Sequence, residues 1–227
     1  SVYARVKTSL IQQFRLDENC WVVAGTTDSN AAVLATGANQ SGDAVTSLGS
    51  TLVLKVFSDI PLFNAGYGIY SHRLNDQWLV GGASNSGGSV LLQHFTRTQL
   101  DEMTKQLKPE QPTGLHYYPL PGTGERFPVN DSSKQSITSP RPASNVEFFQ
   151  ALLEGIAAIE AEGYHRLQEM GAPYPKRIFT MGGGAKNSAW NKIRERVTGA
   201  KITPATHDEA CYGSALLAKK GVNSEYA

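Results

Sequence analysis

A strand that leads through three consecutive glycines into a helix restricts the fold of this chain more than any other feature. Arg177-Ile-Phe-Thr-Met181 is typical of a strand, Gly182-Gly-Gly184 forms the turn, and residues 188–197 are predicted to be helical. This succession indicates an α/β fold. Glycine lets the backbone approach a ligand closely, and free amides at a helix start favour anions or polar ring edges. The turn fits neither a Walker A loop nor G-x-G-x-x-G, so a tight turn without a ligand stays open as the alternative.

The rest of the pattern predicts a sheet that begins with hairpins. One hairpin is expected at 44–57 around Gly49-Ser50, and a second at 67–81 with its turn near Asn75-Asp76. The proline-rich segment 108–143 is expected to be a long loop of functional importance. The other predicted elements are helices at 1–14, 31–35, 89–95, 98–107, 145–171 and 208–220, and strands at 20–24 and 201–204.

The helix predicted at 145–171 is the longest in the chain. Ser144 and Glu147 have the spacing of a capping box at its start. Its core face is marked by four apolar residues at helical spacing, namely Phe148, Leu152, Ile156 and Ile159. The strand at 201–204 is expected at a sheet edge, because Pro204 cannot donate a ladder hydrogen bond.

The charge balance excludes several classes of partner, and the cysteine content indicates the cellular compartment. Lys and Arg total 21 against 20 Asp and Glu, and no basic stripe is present, so neither nucleic acid nor a membrane surface is indicated as a partner. An anionic ligand would be held locally, by backbone amides or a bound metal. No stretch approaches the ~18 apolar residues of a membrane span. Cys20 and Cys211 are far apart in sequence and are predicted to be buried free thiols in a reducing compartment.

Two polar turns near the N-terminus are candidates for phosphoryl chemistry. Asp28 follows a strand and precedes a helix, so it is either a helix N-cap or a general base that takes the proton of an attacking hydroxyl. The two roles are compatible. Ser47-Leu-Gly-Ser-Thr51 is either an ordinary hairpin turn or a nest that directs amides and hydroxyls at a phosphate.

The order of these segments resembles a known family. The acidic turn at Asp28 is followed by the Gly-Ser-Thr hairpin at 49–51 and, much later, by Gly182-Gly-Gly-Ala-Lys-Asn187 with Trp190. Further matching segments are Gly122-Thr-Gly-Glu-Arg126, Leu153-Glu-Gly-Ile156 and Glu209-Ala-Cys-Tyr-Gly-Ser-Ala-Leu216. Together they resemble the FGGY carbohydrate kinases over essentially the whole chain. Within that family, Tyr70-Ser-His-Arg73, residues 78–85 and residues 124–128 are similar to the cyanobacterial and plant D-ribulose kinases, formerly called xylulose kinases.

The resemblance implies a fold and a division into domains. It implies an α/β, actin-like ATPase (ribonuclease H-like) second domain with a mixed sheet flanked by helices, plus the tail of the first actin-like domain. Residues 1–40 would be that tail, with its last strand and the catalytic aspartate, and residues 41–227 would be the nucleotide-binding domain. The Asp-x-Gly-Thr turn that opens the family's first domain is not found in this sequence. The missing N-terminal domain is therefore the expected partner, and the chain alone is expected to be inactive.

The resemblance also implies an activity and the residues that perform it. The expected reaction is ATP-dependent phosphorylation of a ketopentose, D-ribulose, with Asp28 as the general base. Mg²⁺ would be held mainly by phosphates and water, because no metal-ligand cluster is visible in the sequence. The expected location is the cytoplasm, or the chloroplast stroma if the source is a plant. The residues expected to hold ATP are Gly49, Ser50 and Thr51 at the phosphates and Gly183, Gly184, Asn187 and Trp190 at adenosine.

Other functions remain as alternatives. The sugar could be xylulose, or the chain could be a nucleotide-binding module that does not catalyse on its own. An actin-like ATPase of the chaperone or filament type would share the fold but would lack the loop at 122–126 and the Gly-Gly-Gly-Ala-Lys-Asn helix start. Trp190 could be a core residue of its helix as well as an adenosine contact.

Overall fold

The computed structural model describes residues 2–74 and 76–223. The chain divides into two compact units, a terminal unit of Ser1–Gly37 and Thr206–Ala227 and a sheet unit of Ala38–Ala205. The strands are β1 (Val2–Arg5), β2 (Trp21–Val23), β3 (Asp43–Leu48), β4 (Leu52–Ser58), β5 (Tyr70–Leu74), β6 (Gln77–Ser84), β7 (Arg177–Met181) and β8 (Lys201–Pro204). The helices are α1 (Thr8–Phe14), α2 (Asp28–Ala35), α3 (Gly88–His94), α4 (Arg97–Thr104), α5 (Asn145–Glu169), α6 (Ser188–Thr198) and α7 (Ala210–Asn223).

The terminal unit contains β1, α1, β2, α2 and α7. β1 and β2 pair antiparallel, with a register shift between Val2 and Ala4. α2 and α7 pack with their backbones in contact, since a Cβ added to Gly213 would lie 1.8 Å from the carbonyl oxygen of Ala31. Only glycine permits so close an approach. The helix that begins at Asp28 is therefore held in place by the last helix of the chain.

The sheet unit is built on a six-stranded sheet in the order β5-β6-β4-β3-β7-β8. The pairs among β3 to β6 are antiparallel, whereas β3, β7 and β8 run parallel, so the predicted mixed sheet is confirmed. Parallel pairing of β3 with β7 requires a long crossover connection, and here that connection includes β4 to β6 and ends in α5. The pairing brings Ser47 beside Met181, so the turns that follow these two strands lie together at the carboxyl ends of the strands.

The core of the sheet unit lies between one face of the sheet and α5 with α6. The four residues predicted for the core face of α5 are confirmed, each with 1% or less of its surface exposed. Burial of side chains of this size contributes about 1.5–3 kcal/mol each. Ser144 Oγ accepts a hydrogen bond from Glu147 N, which is the N-cap half of the capping box that the spacing predicts at the start of α5. β8 lies at the sheet edge, as its proline predicts.

The loop at 108–143 is ordered by two buried residues, Glu125 and Phe127. Glu125 accepts hydrogen bonds from Ser84 Oγ at 2.6 Å and from Asn85 N at 2.7 Å, which fixes the end of β6. The Phe127 ring occupies the space that side chains at Gly82 and Gly163 would fill, because a Cβ at either glycine would lie within 2.8 Å of the ring. The loop that resembles the family motif therefore supports the sheet.

The structure differs from the sequence predictions at both ends of the terminal unit. The helix predicted at 1–14 is wrong over Val2–Arg5, which forms β1 because it pairs with β2; only Thr8–Phe14 is helical, and Ser1 lies outside the described residues. Both cysteines are free as predicted, but Cys20 is half-buried and Cys211 is exposed. Asn75, predicted in the turn of the second hairpin, also lies outside the described residues.

None of the helices described combines the length and the apolar character that a membrane span requires.

Candidate functional site

A pocket of about 420 Å³ opens in the sheet unit where the turns after β3 and β7 meet. Six of the seven residues predicted to hold ATP line this pocket, namely Gly49, Ser50, Gly183, Gly184, Asn187 and Trp190. Thr51, the seventh, lies in the same hairpin turn but is not part of the pocket wall. The remaining lining residues are Leu48, Gly88, Ser89, Leu91, Leu92, Arg97, Leu100, Asp101, Thr104 and Phe149.

The hairpin turn between β3 and β4 is hydrogen-bonded to the start of α3. Gly88 N donates to the Gly49 carbonyl at 2.9 Å, and Ser89 donates to the Ser50 carbonyl through both its backbone N and its Oγ. A Cβ at Gly88 would lie 2.9 Å from the Gly49 oxygen, so a larger residue would separate the two turns. The carbonyl groups of Gly49 and Ser50 are therefore already hydrogen-bonded to the start of α3.

The glycine turn after β7 forms another wall of the pocket. Gly182 has φ +84°, and a Cβ there would lie 2.8 Å from the Leu48 carbonyl oxygen. A 3₁₀ turn, Gly183–Lys186, follows. A Cβ at Gly184 would lie 2.7 Å from the Trp190 ring, whereas a Cβ at Gly183 would meet nothing within 4 Å. Gly182 and Gly184 are therefore required by packing, and Gly183 leaves open backbone beside the pocket.

Asn187 and Trp190 fix the start of α6. Asn187 is the N-cap, since its Oδ1 accepts from Trp190 N at 3.0 Å, and its Nδ2 donates to Thr104 Oγ1 on α4 at 3.1 Å. Trp190 is 2% exposed, and its Nε1 donates to the Leu153 carbonyl at 3.2 Å. Trp190 is thus a core residue that also lines the pocket. The core position considered for it from the sequence is confirmed, and its contact with adenosine stays a prediction.

The walls supplied by α3, α4 and α5 were not among the predicted site residues. They are mainly apolar, with Leu91, Leu92, Leu100 and Phe149, and carry Arg97, Asp101 and Thr104 as polar groups. The glycine pair at 87–88 between β6 and α3 repeats the strand, turn and helix logic of the later glycine turn, and it could have drawn attention to α3. Nothing in the local sequence signals that Thr104 meets Asn187, 83 residues away.

A buried ion pair lies beside this pocket wall. Arg194 and Glu160 are fully buried and form a bidentate pair, with Nε–Oε2 at 2.6 Å and Nη2–Oε1 at 2.7 Å. Glu160 Oε1 also accepts from Thr46 Oγ1 on β3 at 2.5 Å, and Arg194 Nη1 donates to Thr180 Oγ1 on β7 at 2.8 Å. Burial, followed by the negative charge of Glu160, raises the pKa of Tyr164 well above its usual value. The network ties two strands to α5 and α6.

Asp28 belongs to the terminal unit and is the first residue of α2. Thr27 occupies the N-cap position, and the exposed Asp28 carboxylate accepts from Ser29 N through Oδ1 at 2.7 Å. Its other oxygen, Oδ2, accepts no hydrogen bond from the residues that the structure describes. A carboxylate in the first turn is favoured by the helix dipole and remains accessible to an approaching proton donor.

The described part of the chain contains no group of three or more His, Cys, Asp or Glu that could hold a metal ion.

The chain is similar to known carbohydrate kinases. The family model described as the FGGY family of carbohydrate kinases, C-terminal domain, matches residues 38–221. The xylulose kinase of Staphylococcus xylosus is 27% identical over 217 residues, which cover 91% of this chain and 44% of that protein. The gluconokinase of Bacillus subtilis (strain 168) is 23% identical over 236 residues, which cover 95% of this chain and 46% of that protein.

The fold is also that of a solved kinase. The crystal structure of Plasmodium falciparum glycerol kinase with ADP has a TM-score of 0.78 and 20% identity, over 99% of this chain and 46% of the other. This likeness confirms the predicted fold, that of the second domain of an actin-like ATPase. The chain spans less than half the length of each of these three proteins. Because the family match covers well over half of its residues, the chain belongs to the FGGY family of carbohydrate kinases, whose C-terminal domain it contains.

Proposed function

We propose that the enzyme to which this chain contributes transfers the γ-phosphoryl group of ATP to a hydroxyl of a ketopentose, D-ribulose. One observation carries the proposal: a single pocket gathers the hairpin residues Gly49 and Ser50 and the glycine-turn residues Gly183 and Gly184. These segments are more than 130 residues apart in sequence, and the family resemblance implies an ATP contact for both. The glycerol kinase with ADP supports an adenine nucleotide as the ligand.

The pocket suits ATP by its chemistry. The apolar side chains of α3, α4 and α5 offer a surface for a purine base, and the open backbone at Gly183 permits a ligand to approach closely. Gly49 and Ser50 lie in a turn whose backbone can face phosphates. Mg²⁺ would be held mainly by the phosphates and water, because the described residues offer no ligand cluster of their own.

Asp28 is proposed as the general base. As the sugar oxygen forms its bond to the γ-phosphorus and the bond to the ADP oxygen breaks, the hydroxyl proton passes to the carboxylate of Asp28. Such assistance contributes about 10²–10⁴-fold to the rate. Positioning of the two substrates and stabilisation of the transferred charge contribute most of the remainder.

The identity of the sugar rests on the narrower resemblance to D-ribulose kinases. Xylulose is the second candidate, since a xylulose kinase is 27% identical to this chain. The proposed domain division places residues 1–40 with a first domain and residues 41–227 with the nucleotide-binding domain, although α7 packs within the terminal unit. The proposed partner of this chain is accordingly a first domain like that of the longer relatives, and the proposed location is the cytoplasm.

The test is an assay of the complete enzyme, encoded by the full reading frame, with ATP and D-ribulose, D-xylulose, gluconate or glycerol. Coupled detection of ADP gives kcat/KM for each acceptor. The proposal expects the highest value for D-ribulose. A higher value for D-xylulose would make D-xylulose the acceptor in place of D-ribulose. Absence of phosphorylation for every acceptor would contradict the kinase activity itself.

The role of Asp28 is tested by Asp28→Asn in the same enzyme. Because the substitution preserves shape but removes the proton acceptor, kcat should fall by about 10²–10⁴-fold while ADP binds as in the wild type. Asp17→Asn is the matched control, since Asp17 is an exposed aspartate of the terminal unit that also accepts a backbone hydrogen bond, from Asn19 N at 2.7 Å. Near-normal turnover of Asp28→Asn would exclude the proposed role.

A further inference from the structure

The side chain of Asn191 connects the glycine turn to the interior of α6. Its Nδ2 donates to the Ala185 carbonyl at 2.9 Å, and its Oδ1 accepts from Arg194 Nη1 at 3.2 Å. Ala185 lies within the 3₁₀ turn that follows β7, and Gly183 and Gly184 of that turn line the pocket. Asn191 itself is half-buried and lies outside the pocket wall.

The chemistry of its neighbours fixes the orientation of the Asn191 amide. A guanidinium group only donates hydrogen bonds and a carbonyl only accepts them. The Asn191 oxygen must therefore face Arg194, and its NH₂ must face Ala185. Arg194 cannot rotate away, because it is fully buried and held by the bidentate pair with Glu160 and by Thr180.

The side chains of the glycine turn contribute little to holding it in place, because they are small or exposed. None of the residues Gly183–Lys186 is buried. Backbone hydrogen bonds close its two ends, from Ala185 N to the Gly182 carbonyl and from Asn187 N to the Gly184 carbonyl. The bond from Asn191 anchors the middle of the turn to a helix whose position is set by the core.

We propose that Asn191 is a positioning residue for nucleotide binding. By holding the Ala185 carbonyl against α6, it keeps the backbone of Gly183 and Gly184 in the position that receives the nucleotide. The buried pair of Arg194 and Glu160 supports this role, because it keeps the Asn191 amide in one orientation. The inference rests on the proposed function, in which this pocket binds ATP.

Asn191→Asp in the complete enzyme separates positioning from stability. The carboxylate still accepts from Arg194, but it cannot donate to Ala185 and places two acceptors against each other. We expect the Kd for ADP and the KM for ATP to rise about three- to tenfold, the range that corresponds to one neutral hydrogen bond. The KM for the sugar should stay at the wild-type value.

Two further variants complete the design. Lys192→Gln lowers the charge of the same helix by the same single unit at an exposed position outside the pocket wall, so it should leave the Kd for ADP unchanged. Asn191→Ala adds no charge and should weaken ADP binding as Asn191→Asp does.

The outcomes distinguish this inference from the proposed function. If the wild-type enzyme binds ADP and Asn191→Asp binds it equally well, the positioning role is refuted while the proposed function stands. The role is also refuted if both KM values and the unfolding midpoint change together, or if Lys192→Gln weakens binding as much as Asn191→Asp. A wild-type enzyme that binds no ADP would overturn the proposed function, and the inference with it.

Discussion

Glu160 and Arg194 form two hydrogen bonds with each other, of 2.6 and 2.7 Å, and both side chains are buried from solvent. Removing two charges from water is costly, and the attraction between them offsets that cost only when geometry and further hydrogen bonds are favourable. Here Thr46 and Thr180 provide those further hydrogen bonds. The pair connects the two strands whose following turns form the candidate nucleotide pocket.

Removing the charge of Glu160 should strongly destabilise the protein. Glu160→Gln leaves Arg194 charged and unpaired in the core, so the free energy of unfolding should fall by about 3–5 kcal/mol. Urea titration followed by circular dichroism measures the change. Glu169→Gln is the control, because Glu169 pairs with Arg166 through a side chain that is 63% exposed, and such a pair is worth about 0–1 kcal/mol. Equal losses in the two variants would contradict the prediction.

Lys55 should make the free energy of unfolding depend on pH in the alkaline range. Burial on β4 lowers the pKa of Lys55 to about 8 from 10.5. Between these values the unfolded chain binds more protons than the folded chain, so the free energy of unfolding rises with pH. The gain attributable to Lys55 is about 3 kcal/mol over this window.

The measurement compares Lys55→Met with the wild type by urea unfolding at several values between pH 7 and pH 10.5. The wild type should gain stability relative to the variant as pH rises, because the variant has no proton to lose at this position. Lys201→Met, at an exposed position on β8, should show no such pH-dependent difference. A difference between wild type and Lys55→Met that is constant with pH would mean that the pKa of Lys55 is not lowered.

Gly183 and Gly184 should respond differently to alanine. Gly184→Ala places a methyl group 2.7 Å from the Trp190 ring and 2.9 Å from Leu48 Cβ, so it should cost about 1–3 kcal/mol of unfolding free energy. Gly183→Ala enters open space and should change stability by less than about 0.5 kcal/mol. It should nevertheless weaken ADP binding, measured by calorimetry. Wild-type affinity in Gly183→Ala would show that no ligand lies against this backbone.

Gly213 should be required for the position of α2. A methyl group there would lie 1.8 Å from the Ala31 carbonyl oxygen, so Gly213→Ala should force α7 away from α2. In the complete enzyme, kcat should fall while the Kd for ADP is retained, because Asp28 begins α2 and the pocket belongs to the sheet unit. Ser214→Ala, at an exposed position one residue along α7, serves as the control. If the two variants have equal kcat, the close packing of α2 and α7 does not matter for catalysis.

The sequence determined most elements of the fold through local rules. The core face of α5 follows from helical periodicity, and β7 was predicted with its observed bounds because β-branched and aromatic residues precede a glycine run. The same rules failed at Val2–Arg5, where a four-residue spacing suggested a helix. Pairing with β2 decides that segment, and a partner strand 16 or more residues away is not visible in a local pattern.

The sequence alone located the candidate segments: the hairpin at Gly49-Ser50 and the glycine turn at 182–184, both predicted to bind a nucleotide, and the acidic helix start at Asp28, predicted to supply a general base. Only the tertiary structure decided that the first two line one pocket, because parallel pairing of β3 with β7 brings their carboxyl ends together. It also placed Trp190 in the core, Arg194 beside Glu160, and Asn191 between Arg194 and the glycine turn. Those contacts depend on how α5 and α6 pack on the sheet, and no spacing along the chain encodes them.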